Sequence, residues 1–183
     1  RRALAALRVS RDLVPVALAR PDPGGVLRVA GSRLVRPSME FRDSYRALVA
    51  EIASRGEPFV PFPLGFPNEN FDALLAQLAA CAQGIGIPEG FVAHSTFWLV
   101  AGGEVVGVSN LRHRLTDSLR IEGGHIGYGV RPSARGRGHG TRILALTLVE
   151  AATLSNAQTG ARAGQLALER AKLTVKDIGM VLS

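Results

Sequence analysis

Two stretches of the chain show the three- and four-residue spacing of apolar side chains that is typical of amphipathic helices. The first follows a short predicted strand at Leu34–Arg36 and ends at Gly56, and the second runs from about Phe71 to Gln83. Ser38 stands where a side chain can cap the first helix. The apolar positions that predict the two buried stripes are Phe41, Tyr45, Leu48, Val49 and Ile52, then Phe71, Leu74, Leu75 and Leu78.

Runs rich in β-branched and aromatic residues predict strands in the second half of the chain. Thr96–Val100 and Val105–Leu111 flank Gly102-Gly103, a pair that favours a hairpin turn. His125–Val130 predicts a further strand, and Gly140–Leu154 predicts a helix. The resulting order, βααβββα, predicts an α+β fold.

The two ends of the chain lack this patterning. Residues 1–33 are interpreted as a poorly structured extension with one short strand at Val26–Val29. Residues 34–152 form the patterned domain, and residues 153–183 form a tail. The tail is expected to contain a helix at Ala161–Ala171 and a strand at Lys176–Ser183.

Charge is concentrated at those ends. The net charge of +7 divides into +5 for residues 1–33, 0 for residues 34–150 and +2 for residues 151–183. A nucleic-acid-binding face normally carries its charge on the folded domain, so nucleic acid is the weaker partner class. Cys81 is the single cysteine, so no disulfide can form within the chain, which favours a cytoplasmic protein. No run approaches the roughly 18 apolar residues that span a membrane.

The segment Arg131–Thr141 carries the most informative chemistry. It joins a predicted strand to a predicted helix and has glycine at alternate positions, Gly136, Gly138 and Gly140. Glycines so spaced let backbone N–H groups converge on one centre, and the helix that follows adds its positive end. The segment is therefore suited to a pyrophosphate. The arginines that add positive charge are Arg131, Arg135, Arg137 and Arg142.

Two other phosphate-binding loops do not fit this segment. It has no Gly-Lys-Ser/Thr sequence, which excludes a nucleoside-triphosphatase loop. Gly136 and Gly138 are followed by Thr141 where a dinucleotide-binding loop has its third glycine. A hairpin also precedes the loop, whereas a dinucleotide fold needs βαβ units.

With this loop the sequence resembles the GNAT superfamily of N-acyltransferases over about residues 34–152. Arg135–Gly140 matches the family's Arg/Gln-x-x-Gly-x-Gly/Ala signature, and the hairpin with Trp98 and the strand before the loop stand in family order. The resemblance implies a mixed sheet flanked by helices. It also implies that acetyl-CoA binds as cosubstrate, with its pyrophosphate on the loop amides and its pantetheine arm along Ile126–Val130. The coenzyme-binding residues so implied are Tyr128, Gly129, Val130, Arg135, Gly136, Arg137, Gly138, His139, Gly140 and Thr141.

The same resemblance implies direct attack of an amine on the thioester, without a metal. A base must accept a proton from the amine, and the thioester oxygen must be stabilised as it gains charge. His125 is the first candidate base, because it begins the strand on which many relatives carry a glutamate base and its ordinary pKa of about 6.5 suits proton relay. Glu122 is the second candidate. A structural hydrogen bond at the strand end is the alternative role for His125.

The chain departs from the family after the loop helix. Many GNAT enzymes use a tyrosine beyond this helix to protonate the departing thiolate, but Tyr45 and Tyr128 are the only tyrosines. After Ala152 the pattern stops, so the family's C-terminal part is expected to be truncated or replaced. Gly164–Ser183 instead resembles a short helix–strand of ketoacyl synthase III and related thiolase-fold enzymes.

The expected function is acetyl transfer from acetyl-CoA to an unidentified amine, either a small molecule or a peptide. The proline-rich segment Glu57–Pro67 and Trp98 are expected to line the acceptor side, with plain core packing as the alternative. A catalytically weak CoA-binding module remains an alternative function, and a basic nucleic-acid-binding protein is a less favoured one. A homodimer remains open.

Overall fold

The computed structural model of this protein describes residues 20–21, 27–29 and 31–159, and these form an α+β fold. The sheet has six strands in sequence order, and every neighbouring pair is antiparallel. The predicted α+β class is therefore confirmed, whereas the parallel pair that a mixed sheet requires does not occur among the described strands. The strands are β1 Arg20–Pro21, β2 Leu27–Val29, β3 Ser32–Val35, β4 His94–Ala101, β5 Glu104–Arg112 and β6 Ile126–Val130.

Four α-helices accompany the sheet in the described residues. They are α1 Arg42–Ser54, α2 Phe71–Ala82, α3 Asp117–Ile121 and α4 His139–Thr159. Single 3-10 turns occur at Met39–Phe41, Phe62–Gly65 and Pro132–Ala134. The described residues belong to two compact units, one that ends at Thr147 and one of which Leu148–Thr159 is described.

One face of the sheet packs against α1 and α2. Trp98 of β4 is fully buried there, and the ring of Tyr45 from α1 stacks on it at 4.7 Å between centroids. Phe71 at the start of α2 meets the Tyr45 ring edge-on at 5.9 Å. The helical stripes predicted from the sequence are thus the inner faces of these two helices. Truncating a buried aromatic of this kind to alanine typically costs about 3–5 kcal/mol.

The other face of the sheet receives the first turns of α4. Ser109 of β5 hydrogen-bonds Thr147 of α4 at 2.8 Å, and both residues are fully buried. Gly107 allows the close approach, because a Cβ there would lie 3.2 Å from Cδ1 of Ile143 and 3.0 Å from the carbonyl oxygen of Gly129. The sheet is therefore a central layer between α1 and α2 on one side and the start of α4 on the other.

Some local predictions differ from the structure. Ser38 makes no capping hydrogen bond, because the chain enters α1 through the 3-10 turn at Met39–Phe41. At the second helix, the side chain of Asn70 caps α2 by accepting a hydrogen bond from the backbone N–H of Ala73 at 3.1 Å.

The predicted boundary between the N-terminal extension and the patterned domain also lies inside the sheet. The strand expected at Val26–Val29 is present as β2, and the predicted domain start at Leu34 falls within β3. The rest of the predicted extension, the helix at 161–171 and the strand at 176–183 lie outside the described residues.

Candidate functional site

The glycine-rich loop begins where β6 ends and leads directly into α4. After Arg131 the chain makes the 3-10 turn at Pro132–Ala134. Gly136 and Gly138 then take φ angles of 76° and 74°, a left-handed conformation that favours glycine. Nothing among the described residues lies within 4 Å of a Cβ placed on Gly136. Two left-handed residues before a helix start form the kind of concave backbone that binds anions.

The outer edge of β6 presents unpaired backbone positions beside this loop. The N–H of Arg112 bonds the carbonyl of His125 at 2.8 Å, and the N–H of Arg131 bonds the carbonyl of Val106 at 2.9 Å. Because hydrogen bonding alternates along an antiparallel pair, Gly127 and Gly129 face β5 and Tyr128 turns its N–H and C=O outward. No described strand pairs with that outer edge.

A groove of about 420 Å³ lies between the loop and the turn that joins β4 to β5. Its volume falls within the usual range of about 300–1,000 Å³ for small-molecule sites. Arg131 and Arg137 contribute positive charge to it, and Glu104 contributes one negative charge 3.6 Å from Arg131. Its other polar lining residues are Ser133 and His139.

Glu51 of α1 holds the first part of the loop. Its carboxylate accepts hydrogen bonds from Nε of Arg131 at 2.7 Å, from the backbone N–H of Ser133 at 2.6 Å and from the Ser133 hydroxyl at 2.9 Å. The Arg131 guanidinium and these bonds hold the pKa of Glu51 below its usual value. Both side chains of the ion pair are mostly buried, with 17% and 18% of their surface exposed. Arg131 is thus engaged by the protein itself.

Arg135 is likewise committed to a protein carboxylate. Its guanidinium forms a two-pronged ion pair with Glu57, with one nitrogen–oxygen distance of 3.1 Å. Its Nε also donates to the carbonyl of Val130 at 3.1 Å. The pair lowers the pKa of Glu57 and raises that of Arg135. Arg135 therefore ties the end of β6 to the segment after α1.

The second half of the loop keeps its positive charge available. No carboxylate among the described residues pairs with Arg137 or Arg142. Nδ1 of His139, the first residue of α4, lies 3.4 Å from Arg142, and burial lowers the pKa of this histidine. Thr141 is exposed on the first turn of α4. A Cβ on Gly140 would lie 3.5 Å from the Tyr128 ring, so this glycine brings α4 close to β6.

The two candidate bases lie at the far end of β6. His125 is exposed and precedes the strand by one residue. Its backbone carbonyl accepts the Arg112 N–H, as part of the pairing of β6 with β5. Glu122 is exposed and follows α3 as its C-cap. Both residues are separated from the glycine-rich loop by the length of β6, roughly 16 Å.

The proline-rich segment lies directly on β6. Gly127 and Gly129 point to the same face of the strand, and Val60 and Pro61 pack against them. A Cβ on Gly129 would run into the Val60 carbonyl, whereas one on Gly127 would only touch Pro61 at 3.5 Å. The two glycines thus let the 57–67 segment approach the strand closely. This gives them a packing role that the sequence pattern did not reveal.

A row of buried polar groups lies on the same sheet face. His94, Thr96 and Trp98 alternate along β4, and Asn110 of β5 pairs with Thr96. Each has a buried nitrogen or oxygen without a hydrogen-bond partner in the described part of the chain. The strand predicted from Thr96 begins two residues earlier in the structure, so His94 is the first residue of β4. The sequence could have revealed this position, because side chains alternate along a strand and His94 stands two residues before Thr96 and four before Trp98, on the same face.

Reactive thiols, metal sites and membrane-spanning helices are the remaining classes of feature. Cys81 of α2 is buried. Within residues 20–21, 27–29 and 31–159, no three His, Cys, Asp or Glu side chains are grouped to hold a metal ion. None of the described helices combines the length and apolar character needed to cross a membrane. Comparison with protein-family models, curated proteins and solved structures gave no match to this chain.

Proposed function

We propose that this protein binds acetyl-CoA at the glycine-rich loop and transfers its acetyl group to an amine. The observation that carries the proposal is the loop itself, in which Gly136 and Gly138 take left-handed angles immediately before α4. Backbone N–H groups and the positive helix end suit a pyrophosphate. The resemblance of Arg135–Gly140 to the GNAT signature supports the same ligand.

The surroundings of the loop are compatible with a long cosubstrate. The groove beside Arg137 and His139 would take the phosphate end, and the outer edge of β6 would pair with an amide-containing arm through Tyr128. Arg131 and Arg135 would support the loop through Glu51 and Glu57 rather than bind phosphate. Gly129, Val130, Gly140 and Thr141 would shape the strand end and helix start.

The proposed reaction needs one proton acceptor and one proton donor. The amine nitrogen attacks the thioester carbonyl, the C–N bond forms and the C–S bond breaks. The amine proton passes to a base, for which His125 and Glu122 remain the candidates, and the departing thiolate takes up a proton. An outward backbone N–H on β6 would stabilise the oxygen as it gains charge.

A CoA-binding module with little turnover is the second candidate function. Tyr45 is buried against Trp98, and Tyr128 lies on β6 beside the start of α4. Neither tyrosine follows the loop helix, where many GNAT enzymes carry the acid for the thiolate. Loss of one proton-transfer group typically lowers a rate by about 10²–10⁴. Measurable coenzyme binding with slow acetyl transfer would favour this candidate.

The experiment that tests the proposal is calorimetry with acetyl-CoA and with S-acetylpantetheine, which lacks the pyrophosphate. Arg137→Ala removes a groove cation that has no carboxylate partner among the described residues, and should weaken acetyl-CoA binding about 5- to 30-fold. It should leave S-acetylpantetheine unaffected. Arg114→Ala, at an exposed arginine outside the groove, is the matched control. Equal affinity of wild type and Arg137→Ala for acetyl-CoA would remove the loop as its site.

A further inference from the structure

A second, smaller pocket lies away from the glycine-rich loop. It has a volume of about 150 Å³ and is bounded by Phe62, Phe91, Val92, His94, Arg112 and Leu119. This volume is about that of an enclosed apolar cavity that binds benzene. The rings of Phe62 and Phe91 meet edge-on at 5.2 Å, and Phe62 meets the His94 ring at 4.8 Å. Aromatic rings thus form one wall of the pocket.

His94 supplies one directed polar group to this pocket. Its Nδ1 lies 2.9 Å from the carbonyl of Val92, which can only accept, so Nδ1 carries the proton. Nε2 of the neutral ring is then an acceptor, and it has no hydrogen-bond partner in the described residues. The residue is 99% buried, with 1% of its surface exposed. A buried acceptor without a partner is uncommon in folded proteins and is costly unless a donor reaches it.

The charge of the pocket restricts the ligand further. Arg112 lies on its wall and donates to the carbonyls of Gly123 and Gly124 at 3.0 and 2.8 Å. No carboxylate in the described residues pairs with this guanidinium. A cationic ligand would therefore be repelled, whereas a neutral one would not.

We infer that this pocket binds a small neutral aromatic molecule that carries an N–H or O–H donor, the chemistry of a phenol or an arylamine. The ring lies against the Phe62–Phe91 pair, and the donor meets Nε2 of His94. Phe62 is half-buried and packs edge-on against the His94 ring, so the Phe62 ring turns aside as the ligand enters. Binding needs no coenzyme and is independent of the acetyl transfer proposed above.

The test is an NMR titration of the full chain with phenol, toluene and cyclohexanol. Phenol has both the flat ring and the donor, toluene lacks the donor, and cyclohexanol lacks the flat ring. For so few heavy atoms we expect a dissociation constant on the order of 1 mM for phenol. One neutral hydrogen bond corresponds to about two- to tenfold tighter binding of phenol than of toluene. Cyclohexanol should bind more weakly than phenol.

Three variants separate this inference from unspecific binding. His94→Phe keeps a ring but removes the acceptor, so the preference for phenol over toluene should disappear. Ser118→Trp, at an exposed residue on the pocket rim, should weaken both aromatic ligands at least about fivefold and does not disturb the core. Phe59→Ala, in the same segment as Phe62 but outside the pocket, should change neither affinity.

Either of two results would overturn the inference. The first is wild-type protein that binds phenol no better than toluene. The second is phenol binding that Ser118→Trp leaves unchanged. These readouts remain decisive even where His94→Phe fails to fold.

Discussion

Because the proline-rich segment packs on β6, alanine should have unequal effects on stability at two glycines of this strand. Gly127 and Gly129 lie on the same strand and the same face, and neither takes a left-handed φ angle. Alanine is thus allowed by the backbone at both positions, and only the space above each residue differs. At Gly127 the new methyl group would lie 3.5 Å from Cβ of Pro61, an ordinary contact. At Gly129 it would overlap the Val60 carbonyl oxygen and lie 3.1 Å from the carbonyl carbon.

The magnitude follows from what has to move. The obstacle at Gly129 is backbone, so no side-chain rotation relieves it and the 57–67 segment must shift outward. Overpacking of this kind costs about 1–3 kcal/mol. Both substitutions gain about 0.4–1 kcal/mol from the stiffer unfolded chain, and this gain cancels in the comparison. We therefore expect Gly129→Ala to be about 1–3 kcal/mol less stable than Gly127→Ala, which itself should match or slightly exceed wild type.

Two assays measure this difference. Urea unfolding gives the free energies directly, and in thermal unfolding each kcal/mol should shift Tm by about 3–5 °C for a unit of this size. Amide exchange locates the change, because the N–H of Leu64 bonds the carbonyl of Pro61 at 3.0 Å within the segment. It should exchange faster in Gly129→Ala and normally in Gly127→Ala. Equal stability of the two variants would refute the close packing of Val60 on β6.

Two further predictions concern buried polar groups. Thr96→Val removes a hydroxyl that has no partner in the described residues, so it should raise the free energy of unfolding by about 1 kcal/mol. Ser109→Ala breaks the buried hydrogen bond to Thr147 and should lower the free energy of unfolding by a similar amount. A loss of stability in Thr96→Val as large as that in Ser109→Ala would contradict this contrast. Burial lowers the pKa of His94, His113 and His139, so the unfolded chain takes up protons at a higher pH than the folded one. Stability should therefore be complete above about pH 6.5 and fall as the pH drops below it, by up to about 1.4 kcal/mol per pH unit for each histidine. Urea midpoints that stay constant between pH 7.5 and 5.5 would argue against buried neutral histidines.

The elements that could be predicted from the sequence are those whose burial leaves a periodic pattern. The stripes of α1 and α2 are of this kind, because Leu48 and Leu74 each recur at helical spacing with other apolar residues. The five-residue helix α3 leaves no stripe, and its Ile121 is 89% exposed. The two-residue edge strand β1 depends on its pairing with β2, so its own residues carry little signal.

The candidate site shows the same limit at the level of single residues. The glycine-rich loop could be predicted, because left-handed turns need glycine at Gly136 and Gly138. The partners of its arginines could not, because Glu51 and Glu57 lie about 80 residues earlier in the chain and only the fold brings them to the loop. The packing role of Gly129 could not be predicted either, because its neighbour Val60 comes from a segment about 70 residues earlier in the chain.

The two ion pairs change how the charge of the loop should be interpreted. Four arginines in and around the loop suggest a strongly cationic phosphate site, yet Glu51 and Glu57 neutralise Arg131 and Arg135. The positive character left to an anionic ligand comes from Arg137, Arg142 and the start of α4. Glu51 also occupies the N–H of Ser133, so the amides available to such a ligand lie later in the loop, around Gly136 and Gly138. These carboxylates fix the shape of the loop before any ligand arrives, and a preformed backbone site loses little conformational entropy on binding. The proposed phosphate site therefore combines backbone amides with the charge of Arg137 and Arg142, and it carries less net positive charge than the four arginines suggest.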